Sequence, residues 1–316
     1  METPRTLAQS LSGQKVLLVA STGGHLTQLH RLQQSWNLAE GSRWVTFDKP
    51  QSRALVADDA HSFIPYISPR DLRGVLDGRR RIEAILKAES FDAVISTGAA
   101  IALSSHPLAL RKGIRSVYIE SVSRLAGPSL SGRLLSLLPG IELYAQHPGY
   151  PSRWVNEFSI LDTYPERVAD GSVVPGRVFV TLGTIAPYRF DSLVDAVSSA
   201  LAPNTDVVWQ LGVTDRIDLP GIMHDELDAA QFAAEIGQAD LVITHAGVGT
   251  VVSLLDAGKP MLVVPRRRSR REHVDDHQTQ ISDALLERRL AEVCEVEDLS
   301  AAVIARATGR RTSYAR

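Results

Sequence analysis

Val16-Leu17-Leu18-Val19-Ala20-Ser21-Thr22-Gly23-Gly24-His25 is the stretch whose reading decides the fold of this chain. Five apolar residues run without a polar interruption, the pattern of a strand buried on both faces. Two adjacent glycines then break it, and Leu26 to about Trp36 reads as a helix. The same layout returns in the other half. Leu241-Val242-Ile243-Thr244 leads into His245-Ala246-Gly247-Val248-Gly249-Thr250, again with a helical pattern behind it. A strand, a glycine-broken loop and a helix together present backbone N–H groups and the positive end of a helix to an anionic ligand. Each loop also carries a histidine, the side chain whose ordinary pKa lies nearest neutrality, at the strand exit. Two such loops in halves of similar size indicate two nucleotide-binding-like domains facing a cleft.

Working outward, the first half alternates strands and helices. Ser42–Phe47, Ser62–Ile67, Ala93–Ser96, Ser116–Ile119 and Ile141–Ala145 are the further strands, and Asp71–Ala88 is an amphipathic helix rich in arginine on one face. Gly149 to Gly176 carries prolines and glycines without a clear period. The alternation restarts at Arg177–Leu182 and continues through Asp206–Leu211, Asp240–Thr244 and Pro260–Val264. Helices are expected at about Phe190–Leu201, Asp228–Gly237, Thr250–Ala257, Asp275–Glu287 and Asp298–Thr308, and Gly309–Arg316 reads as a basic tail. The fold class is therefore α/β, with two doubly wound Rossmann-like domains at 1–155 and 177–316 joined by a linker at 156–176.

The 316 residues exceed the usual size of a single core, which agrees with two domains. A formal net charge of −2 gives no bulk reason to expect nucleic acid as a partner. Cys294 is the only cysteine, so an intramolecular disulfide and a cysteine-cluster metal site are excluded, and a reducing cytoplasm suits the chain. The first dozen residues lack the apolar core of a signal peptide, and no apolar run approaches the roughly 20 residues of a membrane span.

The first loop fits no standard phosphate motif. Gly23 and Gly24 are adjacent rather than spaced as Gly-x-Gly-x-x-Gly, although Asp48 sits where a dinucleotide fold places its ribose acid, and no Gly-Lys-Ser/Thr follows. The loop is either a tight turn capped by His25 or a site in which His25 is a general base and the glycines let a substrate approach. In the second loop, Gly247, Gly249 and Thr250 offer donors that suit a diphosphate, while His245 either joins them or bonds a backbone carbonyl. His273 and His277 share a helical face, but no third metal ligand is near, so Asp276, His277 and Gln278 read as a solvated helix start or as a grip on sugar hydroxyls. Arg266-Arg267-Arg268-Ser269-Arg270-Arg271 is a solvated loop or a binding surface for phosphate, a uronic acid or an anionic membrane. Glu120-Ser121-Val122-Ser123-Arg124, at a strand end, is a structural ion pair or an orienter of an acceptor hydroxyl. No Asp-x-Asp is present to hold a metal–nucleotide complex.

These motifs together resemble the family 28 group of glycosyltransferases with the GT-B fold, the MurG-like enzymes. Gly23-Gly24-His25 and Glu120-Ser121-Val122-Ser123-Arg124 resemble one subunit, and His245 to Thr250 with Asp276-His277-Gln278 the other, of the split transferases that build dolichol-linked chitobiose and bacterial capsule or exopolysaccharide units. The chain looks like those two subunits fused, over about Val16 to Arg153 and Val178 to Leu290. The resemblance implies an inverting, metal-independent transfer from a UDP-sugar, a co-substrate rather than a cofactor, to a polyprenyl-diphosphate-linked saccharide at the cytoplasmic face of the membrane. It implies His25 and Glu120 as catalytic residues. Gly183, Thr184, His245, Gly247, Gly249, Thr250, Asp276, His277 and Gln278 would bind the donor, and Gly23, Gly24, Ser121 and Arg124 the acceptor. No metal ligand or cofactor is implied.

Two departures stand out. The glutamate that relatives place eight residues after the phosphate-loop histidine is Ser253 here, with Asp256 one turn on. The membrane-spanning helix of the anchored relatives is not evident either, so lipid docking is expected to use Arg70, Arg73 and Arg79–Arg81 with Leu134, Leu135, Leu137 and Leu138. A transferase of the same fold acting on a soluble acceptor, and a noncatalytic nucleotide-binding module, are the alternatives.

Overall fold

The computed structural model describes residues 5–68, 70–183, 187–273 and 277–312, except for the side chain of His277. The chain divides into two units, Met1–Ile160 and Leu161–Arg316. In the first, strands β1 (Val16–Ala20), β2 (Arg43–Phe47), β3 (His61–Ile64), β4 (Ala93–Gly98), β5 (Arg115–Ile119), β6 (Ile141–Tyr144) and β7 (Trp154–Val155) alternate with helices α1 (Leu7–Leu11), α2 (Gly24–Gln33), α3 (Pro50–Leu55), α4 (Leu72–Ala88), α5 (Ala100–Arg111) and α6 (Leu130–Ser136). All seven strands pair in parallel, in the order β3-β2-β1-β4-β5-β6-β7. Every side chain of β1 is buried, as its unbroken apolar run requires. Leu17, Val19, Val45 and Val94 pack on Ile82 and Leu86 of α4 and on Ile101 and Leu108 of α5. A second cluster gathers Tyr118, Leu143 and Trp154 with Ala102 and Leu135. Each large apolar side chain buried this way contributes roughly 1.5–3 kcal/mol.

The second unit repeats the plan. Its elements are β8 (Arg167–Ala169), β9 (Arg177–Thr181), α7 (Asp191–Ala200), β10 (Asp206–Gln210), β11 (Ile222–His224), α8 (Ala229–Gln238), β12 (Leu241–Thr244), α9 (Val248–Asp256), β13 (Met261–Val263), α10 (His277–Glu287), β14 (Glu292–Val293), α11 (Ala301–Thr308) and β15 (Arg310–Thr312). Six strands form a parallel sheet in the order β11-β10-β9-β12-β13-β14, and β8 pairs with β15 in a separate antiparallel ribbon. Val178, Val180, Trp209, Leu241 and Ile243 pack on Leu193, Val194 and Val197 of α7 and on Val303 and Ile304 of α11.

In each sheet the chain runs outward from a central strand, returns, and runs outward on the other side. The order reverses between β1 and β4 in the first unit and between β9 and β12 in the second. Ligands of open parallel sheets sit outside the carboxyl ends of the strands at such a reversal. Helix caps differ along the chain, and α3 and α7 have no side-chain cap. Thr6, Asp71, Ser129, Asp228 and Ser300 cap α1, α4, α6, α8 and α11 with their side chains. The helices that follow β1, β4 and β12 begin at Gly23, Ala99 and Gly247, with no side-chain cap.

The α/β, doubly wound expectation matches this architecture. β7, β11 and β14 are too short to carry a pattern of their own. Arg310–Thr312, expected within a basic tail, is a strand, because its backbone pairs with Arg167–Ala169. Of the stretch 156–176, Ile160 closes the first unit by donating its N–H to Gln146 Oε1 (2.9 Å), and β8 belongs to the second.

His106, on α5, is wholly buried with Nδ1 2.9 Å from Ser116 Oγ, and burial pushes its imidazole down to about 3. The ring therefore ionises near pH 6.5 only when the chain unfolds. Its contribution is complete above pH 6.5 and is lost as pH falls toward 3. Urea unfolding at pH 7.5 and 5 should show the wild-type midpoint dropping and His106→Gln dropping less, by up to about 1.4 kcal/mol per pH unit. Equal drops would mean that the folded state already carries the charge.

Candidate functional site

At the first reversal, the exits of β1 and β4 are tied together by His25. Its Nδ1 lies 2.8 Å from the carbonyl oxygen of Thr97, and Thr97 Oγ1 donates to the carbonyl of His25 at 2.7 Å. A carbonyl oxygen only accepts, so Nδ1 carries the proton and Nε2 is the basic nitrogen of the neutral ring. His25 is half-buried in the first turn of α2. Gly98 and Ala99 both have positive φ (113° and 60°), which folds the β4 exit back beside the ring; a Cβ on Gly98 would stand 3.3 Å from His25 Cε1. Gly23 (φ 84°) donates its N–H to Gln51 Oε1 at 3.0 Å. Gly24 opens α2, and its carbonyl accepts from Gln28 Nε2 at 3.0 Å. Thr97 and Ala99 were not singled out in the sequence. The glycine directly after a buried strand was the available signal.

A buried polar network supports this turn. The Gln28 amide donates to Ser121 Oγ (3.2 Å) and accepts from the Val122 N–H (2.8 Å) and from Gln146 Nε2 (3.1 Å). Glu120 is wholly buried. Its Oε1 accepts from Tyr118 Oη (3.2 Å) and the Ser121 N–H (3.1 Å), its Oε2 from the Ser129 N–H (2.8 Å) and Oγ (3.0 Å). Burial raises its pKa against the pull of those donors and of Arg124. A Cβ on Gly132 would collide with Oε2, so α6 is seated directly on the carboxylate. Both oxygens of Glu120, expected to be catalytic, are thus occupied by its own loop and strand. Ser121 is buried in the same network, and Arg124 accepts at its carbonyl from Tyr150 Oη (2.5 Å). Asp48 is engaged by Arg53, at 2.5 and 2.9 Å.

At the second reversal His245 takes the corresponding place. Thr244 Oγ1 donates to the Thr181 carbonyl across the strand pair (3.1 Å), and the buried His245 ring lies between Gly183 and Gly247. A Cβ on Gly183 would stand 2.6 Å from His245 Cε1, and one on Gly247 would collide with Nε2. These glycines admit the ring as well as any ligand. Burial, with Arg266 beside it, pushes His245 down to about 3, so the ring is neutral. Gly249 and Thr250 are half-buried in the first turn of α9. Gln278 Oε1 accepts from the Arg266 N–H at 3.2 Å, which ties the start of α10 to the β13 exit. Thr184 and Asp276 lie outside the described residues, as does the side chain of His277. Ser253 bonds back to the Gly249 carbonyl (3.0 Å), and Asp256 accepts from Tyr164 Oη (2.8 Å).

Arg266, Arg267 and Arg270 of the arginine run are internally matched, while Arg268 and Arg271 are exposed. Arg266 is 1% exposed; it donates to the carbonyls of Leu182 (2.6 Å), Tyr188 (2.8 Å), Arg189 (3.1 Å) and Glu272 (3.0 Å) and lies over the Phe190 ring. Arg267 pairs with Glu295, and Arg270 with Glu272 and Glu297. The surface patch also changes. Leu135 belongs to the core, while Leu134 and Leu137 are 44% and 76% exposed. Among the described residues no group of three His, Cys, Asp or Glu side chains is gathered as metal ligands would be.

Residues 177–315 match the glycosyltransferase family 28 C-terminal domain. A UDP-N-acetylglucosamine–N-acetylmuramyl-(pentapeptide) pyrophosphoryl-undecaprenol N-acetylglucosamine transferase of Shewanella sp. (strain ANA-3) is 25% identical over 87% of this chain and 82% of its own. The solved structures of the glycosyltransferase of kitacinnamycin (TM-score 0.60, 18% identity, 94% and 91% covered) and of Acinetobacter baumannii MurG (TM-score 0.52, 18% identity, 92% and 89% covered) share the fold. Its second unit is a family 28 glycosyltransferase C-terminal domain, in a chain with the GT-B fold. The UDP-N-acetylglucosamine transferase subunit ALG13 of Cryptococcus neoformans is 40% identical over 22% of this chain and 33% of its own. The Shewanella relative is a single chain that aligns along most of this one.

Gly247→Ala should lower stability by about 1–3 kcal/mol, the usual effect of overpacking. Adding His245→Ala to the same chain should restore part of that loss in thermal unfolding. A double variant whose loss equals the sum of the two singles would show that residue 247 and the ring do not meet.

Proposed function

We propose that this enzyme moves a hexose, with inversion, from a UDP-sugar to a hydroxyl of a polyprenyl-diphosphate-linked saccharide. The observation that carries the reading is the tautomer of His25. With Nδ1–H held by the Thr97 carbonyl, Nε2 is the nitrogen that takes a proton from an acceptor hydroxyl. The hydroxyl oxygen then bonds to the anomeric carbon, the bond from that carbon to the diphosphate breaks, and the electron pair leaves with UDP. In the second unit, the N–H groups of α9 opening at Gly247, Gly249 and Thr250 receive that charge. His245, neutral and buried, shapes the loop rather than supplying charge. Gly183 borders the same ring; Thr184, Asp276, His277 and Gln278 complete the proposed donor set, with Gln278 acting through the loop it holds. Gly23, Gly24, Ser121 and Arg124 are assigned to the acceptor, with Ser121 supporting the loop from beneath.

The relatives' names supply the finer choices. Transfer of N-acetylglucosamine to a pyrophosphoryl-undecaprenol-linked acceptor is what the Shewanella protein is named for, so a peptidoglycan-type acceptor takes precedence over the capsule or exopolysaccharide unit expected from the sequence. For a glucuronate donor, Arg270 is already committed to Glu272 and Glu297, which leaves the exposed Arg271 as the partner for its carboxylate. No described helix is long and apolar enough to cross a membrane. We assign peripheral contact with the inner membrane surface to Leu72 and Leu76 on α4 and Leu130, Leu134 and Leu137 on α6, with Arg70, Arg73 and Arg80 exposed nearby in sequence.

His25→Ala should lower kcat by roughly 10²–10⁴-fold while UDP binding persists, and Glu120→Gln should keep kcat within a few-fold. Product formation from UDP-N-acetylglucosamine, UDP-glucose and UDP-glucuronate, with polyprenyl-linked and free acceptors, reads both variants. Near-normal turnover by His25→Ala would remove the base from the scheme. Turnover on free glycosides alone would remove the lipid. Replacing Leu134 and Leu137 together by Ser should weaken co-sedimentation with anionic vesicles at least several-fold while leaving UDP affinity unchanged. Undiminished co-sedimentation would move the membrane contact elsewhere.

A further inference from the structure

The sheet of the second unit has another edge, at the amino ends of its strands, and the chain builds a pocket there that the transfer reaction does not use. About 430 Å³ in volume, it lies between the α8–β12 turn (Ala239, Asp240), the α9–β13 turn (Gly258, Lys259) and the β8–β15 ribbon (Arg167, Arg311). β12 separates it from His245 by four residues, about 13 Å of strand.

The cations around it are unequally matched. Arg310 is paired with Glu292 through Nε (2.8 Å) and Nη2 (2.7 Å). Lys259 Nζ is steadied by the carbonyls of Gly237 (2.5 Å) and Ala239 (3.0 Å), with no carboxylate among the described residues, and Arg311 donates to the carbonyls of Thr308 (2.7 Å) and Arg310 (3.2 Å). Arg167 is 4% exposed and lines the pocket, and its guanidinium nitrogens are not among the sealed, unpartnered polar atoms of the fold. Burial and the repelling Arg311 both pull its pKa down. The carboxylate in the lining, Asp240, is turned to the backbone: Oδ2 accepts the N–H groups of Gly176 and Arg177, each at 2.9 Å. A largely buried guanidinium that opens onto a pocket gains from an anionic partner there. Its planar fork of donors suits the oxygens of a phosphate. The volume falls in the roughly 300–1,000 Å³ range of small-molecule sites, so more than a bare ion fits.

We propose that this pocket is a second anion site, which takes the phosphate of a phosphorylated small molecule or of a lipid headgroup through Arg167, Lys259 and Arg311. The probe is inorganic pyrophosphate, titrated calorimetrically into the full chain with and without saturating UDP. That separates this pocket from the start of α9, and the outcome holds whether or not UDP binds. Arg167→Met and Lys259→Gln should each weaken the UDP-insensitive binding about tenfold or more. Arg167→Met should also leave the ligand-free melting temperature unchanged or raise it, because it removes a largely buried charge. Lys259, at the rim, keeps the test open should the buried variant fold poorly. Absence of UDP-insensitive pyrophosphate binding, or equal binding by wild type and Lys259→Gln, would overturn the site. Co-sedimentation with phosphatidylglycerol vesicles then assigns the source: loss in both variants marks a lipid headgroup, and retention with lost pyrophosphate binding marks a soluble ligand, either result upholding the pocket.

Discussion

A histidine held between the two strands that flank each reversal is the constraint on which the rest of the structure depends. Parallel strands deliver their ends to one edge, and the reversal leaves those ends without a crossover helix to cover them. In the first unit His25 spans the gap by a hydrogen bond to the Thr97 carbonyl, and in the second His245 spans it by packing against Gly183 and Gly247. Both solutions dictate glycine nearby. Gly98 turns back beside His25 at a φ of 113°, and Gly183 and Gly247 leave room for His245. Helices α2 and α9 then start on residues that cannot cap them, which keeps their first N–H groups turned toward whatever binds at the edge.

The two histidines are chemically unlike although the sequence places them alike. His25 is half-buried, with one nitrogen fixed as a donor, so its other nitrogen is the basic one. His245 is enclosed, and desolvation keeps it neutral far below physiological pH. A neutral ring stabilises negative charge poorly, whereas the uncapped N–H groups at the start of α9 do so well. The asymmetry follows from burial rather than from residue type.

Much of the architecture was legible because long buried strands announce themselves. β1, β4, β9 and β12 each hold an apolar run of three residues or more, and they are the four strands that flank the reversals. Two- and three-residue strands such as β7 and β14 carry no period, and β15 looked like a charged tail because its pairing is made by backbone rather than by pattern. At the site, His25 and the glycine loops were visible as punctuation after those strands. The role of Glu120 was not. A carboxylate at a strand end reads identically whether it faces substrate or is folded under a loop, and only the four donors around it settle which. Gln28 and Gln146 carried no signal either, since their partners lie 93 and 118 residues away.

The arginines make the same point with opposite sign. Arg266 opens a run that looks like an anion-binding surface, but it is buried among four carbonyls that compensate its charge. Arg167 stands alone in the sequence beside Glu166 and shows nothing, yet in the fold it is 4% exposed and faces a pocket. Burial with compensation makes a scaffold; burial that opens onto a pocket leaves a place for a counter-charge. At the opposite edge of the sheet from His245, that place gives the second unit two ends with one electrostatic character. One is set by helix N–H groups and the other by cations, and α9 runs from the first to the second.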